Sequence, residues 1–110
     1  MTVLDAIRGI SAYPVPQRTI EMIASKRGLE LETVTNGDVF ASKAYNLATA
    51  DILMWLSAAP DVSQGGQSYS FTDEQRKQFR LRANGLYDKY DPTGDASERK
   101  TIYGYKGDRL

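Results

Sequence analysis

The sequence predicts an all-α fold: a small bundle of about four helices around one long central helix, with a flexible loop and an extended C-terminal tail. Three stretches carry that expectation. Val39 to Ala59 holds no Gly or Pro and is rich in Ala, Leu and Met, all good helix formers. Thr72-Asp73-Glu74-Gln75 is a complete capping box ahead of an apolar stripe. Gln17 to Arg27 closes on Lys26 and Arg27 just before Gly28, the usual composition of a helix C-terminus.

In chain order, Thr2 and Asp5 make a capping-box-like start for a short helix carrying Val3, Leu4 and Ile7, which Gly9 ends. Tyr13-Pro14-Val15-Pro16 reads as extended, because proline pushes its predecessor out of the helical region. Pro16 then fits the first turn of the second helix, where its missing N–H costs nothing. Leu29 to Val34 alternates loosely and predicts a short extended segment. Asn36-Gly37 signals a turn, and Asp38 is placed to cap the central helix.

The central helix, over 39–59, projects Phe40, Ala44, Leu47, Ala48 and Trp55 onto a broad apolar arc. An arc of that width suits neighbours on more than one side. Asp51 projects into it, where an unpaired carboxylate is costly. The sequence therefore predicts a buried structural acid with a cationic or hydrogen-bonding partner. After Pro60, DVSQGGQSYS has the composition of a mobile loop.

The last helix is predicted from Asp73 to about Tyr90, with Phe79, Ala83, Leu86, Tyr87 and Tyr90 facing the central helix. Gly85 costs up to ~1 kcal/mol relative to Ala there, which suggests a close helix crossing. Asp91-Pro92 ends the helix. The expected division is a helical domain over 1–91 and an extended tail over 92–110. Ile102, Tyr103 and Tyr105 in that tail lack helical spacing and favour docking on another surface.

Composition narrows the function classes. At 110 residues one modest core is expected. With no His and no Cys, the chain has no imidazole base, thiolate nucleophile, disulfide or thiolate metal site. No residues converge on a catalytic constellation, so no enzyme activity, cofactor or metal is expected. Fourteen basic against 14 acidic side chains argue against a dedicated nucleic-acid binder. Neither a signal peptide nor a membrane span is expected.

Two surface features stand out. Arg76, Lys77, Arg80 and Arg82 form a basic group on the last helix. It reads as a contact for phosphate or an acidic partner, or as a solvated face paired with Asp73, Glu74 and Asp88. Tyr69 in the loop, with Ile102, Tyr103 and Tyr105 in the tail, reads as an interface.

A short first helix, then KAYNLATADILMWLSAAPDV, a glycine-containing loop and SFTDEQRKQFRLRANGLYDKY, form a layout that resembles a known family. It is similar to the small head–tail connector (head-completion or adaptor) proteins of tailed bacteriophages and prophages, over roughly residues 1–91. The ADILMWL stretch and the last helix carry most of the likeness. The resemblance implies a helical subunit of a dodecameric ring, built in the bacterial host cytoplasm and placed at the portal vertex of the virion. Its expected partners are copies of itself, the portal protein and a tail-side adaptor or completion protein, with DNA passing through the channel. Subunit or portal contacts would fall at Ser63 to Ser70, which includes Tyr69, and at Thr101 to Leu110, which includes Ile102, Tyr103 and Tyr105. The competing expectation is a small helical nucleic-acid-binding or regulatory domain that uses Arg76, Lys77, Arg80 and Arg82.

Overall fold

Local signals at each helix end decide where the elements begin. The computed structural model describes residues 1–91. Helix α1 (Val3–Arg8) starts on a reciprocal capping box, with Thr2 Oγ1 accepting from the Asp5 N–H and Asp5 Oδ2 accepting from the Thr2 N–H. Its first free N–H groups find further acceptors: Val3 donates to the Thr33 carbonyl and Leu4 to that of Leu31. The 29–34 segment is thus a series of turns folded over the start of α1, with a single bridge between Thr2 and Val34. The short extended segment expected there does not form, because its carbonyls serve the helix end.

Helix α2 (Gln17–Arg27) follows a stretch that is not extended throughout as expected. The Val15 N–H donates to the Tyr13 carbonyl at 2.9 Å, closing a tight turn at Pro14, and Pro16 takes the cap position at ψ 139°, one residue before the expected first turn. Gly28 ends it at φ 70°, and the Leu29 N–H reaches back to the Ala24 carbonyl. This left-handed stop is the conformation glycine adopts without steric cost.

The long central helix is two helices. Helix α3 (Gly37–Ala41) is capped by Asn36, whose side chain accepts from the Val39 N–H, in place of the expected Asp38. Ser42 then turns extended at ψ 149° and caps α4 (Lys43–Ser57) by accepting from the Tyr45 N–H. Asn46 holds the break in place, its amide donating to the carbonyls of Phe40 and Ser42. Propensity runs smoothly through 39–59, but the side chains of Ser42 and Asn46 offer backbone groups an alternative to the helical ladder.

A second correction concerns the loop after Pro60. Val62–Gln64 (β1) and Gln67–Tyr69 (β2) pair as an antiparallel hairpin in the register Val62 to Tyr69, Ser63 to Ser68 and Gln64 to Gln67. Gly65 and Gly66 make the two-residue turn at φ 60° and 79°, the geometry that matches strand twist. The fold is mostly helical with a small two-stranded sheet, and so departs from strictly all-α. Helix α5 (Asp73–Tyr90) begins on the Thr72/Gln75 capping box and occupies the expected range.

Helix α4 is sheathed on two sides. One face contributes Ile52 and Leu56 to a cluster with Val3, Ile7, Tyr13, Ile20 and Ala59. The nearly opposite face contributes Leu47, Ala50 and Leu53 to a cluster with Ala83 and Tyr87 of α5. Ala48, Ala50 and Ala83 are fully buried, and small residues of this kind let helix axes approach closely. Among the described residues, a Cβ added at Gly85 would meet nothing within 4 Å, so these residues do not make the close crossing expected there.

Candidate functional site

Asp51 lies on α4 between its two packed faces. A carboxylate at that seam is reachable from both flanking helices, and both supply a partner. From α2, Arg27 donates Nε to Oδ2 at 2.7 Å and Nη2 to Oδ1 at 2.9 Å, a bidentate fork. From α5, the Tyr87 hydroxyl donates to Oδ1 at 2.5 Å. The Arg27 and Asp51 side chains keep 13% and 16% of their exposure, so the group is mostly buried with a small opening to solvent. Charge-assisted, bidentate hydrogen bonds are the strong ones. The arrangement pins α2 and α5 to α4 and leaves each carboxylate oxygen already accepting a hydrogen bond.

Arg76 does not stand with the other bases of α5. Its guanidinium turns toward the C-terminal end of α4, donating to the Ala59 carbonyl at 2.7 Å and to that of Ser57 at 3.3 Å. Asp61 lies 3.5 Å from it, and the Phe71 ring is 5.8 Å away. A cation over the last carbonyls of a helix completes its unsatisfied end and complements its dipole. Lys77, Arg80 and Arg82 are exposed, so the basic surface consists of these three.

Tyr69 is half-buried and turns into the chain. Its ring meets Tyr13 edge-on at 6.3 Å, and Tyr13 also stacks on Phe71 at 5.4 Å and meets Trp55 at 5.7 Å. The Tyr13 hydroxyl donates to the Pro60 carbonyl at 2.5 Å, tying the α1–α2 connection to the end of α4. The hairpin is therefore anchored by Tyr69 while its turn projects into solvent. Ile102, Tyr103 and Tyr105 lie outside the described residues.

A family model described as a family of unknown function, DUF6706, matches residues 1–107. The chain belongs to DUF6706. No curated protein and no solved structure matches it. The DUF6706 match continues past residue 91 and takes in most of the stretch expected as a tail.

Among the depressions on the described surface of this DUF6706 chain, two involve residues already named. One, of about 670 Å³, lies among the end of α1, the 10–17 connection and α4, with Ile7, Ile20 and Leu56 in its walls. Arg8 and Gln17 are hydrogen-bonded to each other at its edge. The other, of about 290 Å³, has Val3, Leu29 and Val39 as its apolar lining and Glu30 and Asp38 as its acids. Among the described residues, no three His, Cys, Asp or Glu side chains gather as metal ligands, and no helix is long and apolar enough to cross a membrane.

Sequence reasoning missed three participants. Arg27 reads as a helix-end cation, and nothing local distinguishes it from the other 13 bases as the partner of Asp51. Tyr87 reads as core, which conceals that its hydroxyl is a donor. Arg76 carried a signal, since it precedes Phe79, Ala83, Tyr87 and Tyr90 at helical spacing and so belongs to the inward stripe of α5.

Proposed function

We propose that this chain is a structural subunit that acts by presenting surfaces, a ring-forming head–tail connector of the phage type. One observation carries the reading. The ionisable group at the seam of the fold, Asp51, is engaged by Arg27 and Tyr87 in holding three helices together. The other exposed charges and apolar side chains, among them Lys77, Arg80, Leu81, Glu30 and Val34, lie on outer faces. A rigid layered body with unlike outer faces is what a head-to-tail ring requires. The resemblance of the 1–91 sequence layout to connector proteins is what suggests the specific role: assembly beneath the portal, extension of the DNA channel and reception of a tail-side protein.

The test is size-exclusion chromatography with light scattering at high protein concentration, alone and with purified portal protein. The reading expects ring-sized species alone or a stable complex with portal. A strict monomer that also ignores portal overturns it.

A further inference from the structure

The charges of this chain are segregated along the sequence in a way its own packing does not use. Between Gly28 and Ser42 there are three acids, Glu30, Glu32 and Asp38, and no base. Between Gln75 and Ala83 there are four bases and no acid. Arg76 is engaged inside the chain, which leaves Lys77, Arg80 and Arg82 exposed. Among the described residues, no ion pair joins these bases or these acids to anything.

Each charged stretch surrounds exposed apolar surface. On α5, Lys77, Arg80 and Leu81 occupy one turn of the outer side, and Leu81 is 54% exposed. One turn further on, a Cβ added at Gly85 would meet none of the described residues within 4 Å. On the acidic stretch, Glu30 and Asp38 line a shallow cleft with the half-buried Leu29 and Val39, over the buried Val3, and the neighbouring Val34 is 67% exposed. A cleft with an apolar lining and carboxylates fits a long basic side chain, whose methylene stem packs while its cationic end meets the acids. The basic turn packs outward from the α5 side of α4, and the cleft belongs to the α1–α2 side.

We infer that the cleft of one copy receives the Lys77–Arg80–Leu81 turn of α5 from a second copy. Two unlike, complementary patches on different sides of one subunit generate a head-to-tail contact that repeats. Opposite charge steers the two patches together and fixes their register, while Leu81 and Val34 supply apolar contact. The inference rests on the self-assembling subunit proposed above and names its contact.

Two variants test it, Glu30→Lys with Asp38→Lys for the cleft and Lys77→Glu with Arg80→Glu for the helix. All four positions are exposed, and circular dichroism verifies that the fold survives. In sedimentation velocity, each variant alone should self-associate at least ~100-fold more weakly than the unaltered chain, since like charges then face each other. An equimolar mixture should recover assembly, because every contact in it again pairs opposite signs. Association of the unaltered chain should also weaken as salt rises. If the unaltered chain assembles and both variants assemble equally well, the contact lies elsewhere and the ring reading stands. If the unaltered chain stays monomeric at every concentration yet binds portal, the self-contact is wrong and the virion role stands.

Discussion

At the scale of single residues, the Asp51 group shows how much of a partnership a sequence reveals. A carboxylate at a core-facing position of a helix announces that it needs a partner. The choice among 14 bases is made by tertiary structure alone. Removing one member of such a group leaves the others with unmet charge, which costs more than the group contributes as a whole. Arg27→Ala should therefore destabilise the chain by about 2–3 kcal/mol, the partial exposure of the pair holding the loss below that of a fully buried one. Tyr87→Phe should cost about 1–2 kcal/mol, one hydrogen bond to a charged acceptor. Replacing Arg27 and Asp51 together by Met and Leu should cost less than Arg27→Ala alone. Urea denaturation of the three variants gives the order. Asp5 provides the pH-dependent counterpart. The Thr2 backbone N–H, joined by the Thr2 hydroxyl, holds its carboxyl below the ordinary value. A depressed folded pKa means that the cap contributes fully above the ordinary carboxylate value and loses its contribution as pH falls toward the lowered one. In an NMR titration Asp5 should titrate below a free aspartate, and Thr2→Ala should move it part of the way back.

At the scale of elements, helix ends were legible and interruptions were not. The Thr72/Gln75 box and the Gly28 stop place α5 and α2 where the sequence expects them, because each depends on a few adjacent residues. The hairpin carried a signal, a Gly-Gly pair between VSQ and QSY, but its polar flanks lack the alternation that identifies a strand. Its stability comes from Tyr69 packing on Tyr13, far off in the sequence. The α3–α4 break was hidden for a similar reason, since Ser42 interrupts an otherwise strong helical run with a cap that only the fold selects. The glycines separate these two kinds of position. Gly65 and Gly66 adopt positive φ, so an alanine at either site should cost about 1 kcal/mol and loosen the hairpin. Gly85 sits in an ordinary helical conformation beneath open space, so Gly85→Ala should raise stability by up to ~1 kcal/mol. Thermal melts of the three single variants should shift in opposite directions, and a destabilised Gly85→Ala chain would show that something packs against that face.

At the scale of the whole molecule, the width of the apolar arc on 39–59 was the informative quantity. It announced neighbours on two sides of the central helix, and the structure supplies α1 and α2 on one and α5 on the other. Which helix lies where was not legible, because the arc fixes how much surface is covered without fixing by what. The outcome is two clusters that share α4 as a common wall and Asp51 as a common tie. A shared wall makes the clusters interdependent: losing either leaves one face of α4 in water and removes an Asp51 partner. The chain should therefore unfold in one cooperative step, as small single domains do. Ile20→Ala opens a cavity in the first cluster and Leu53→Ala in the second, each at a side chain that is at most 1% exposed. Each should cost about 2–4 kcal/mol. In both variants, tryptophan fluorescence, which reports Trp55 beside the first cluster, and circular dichroism, which reports all helices, should move together to the same lower midpoint. If Leu53→Ala shifts the circular dichroism transition while the fluorescence transition stays in place, the two clusters unfold separately and α4 does not couple them.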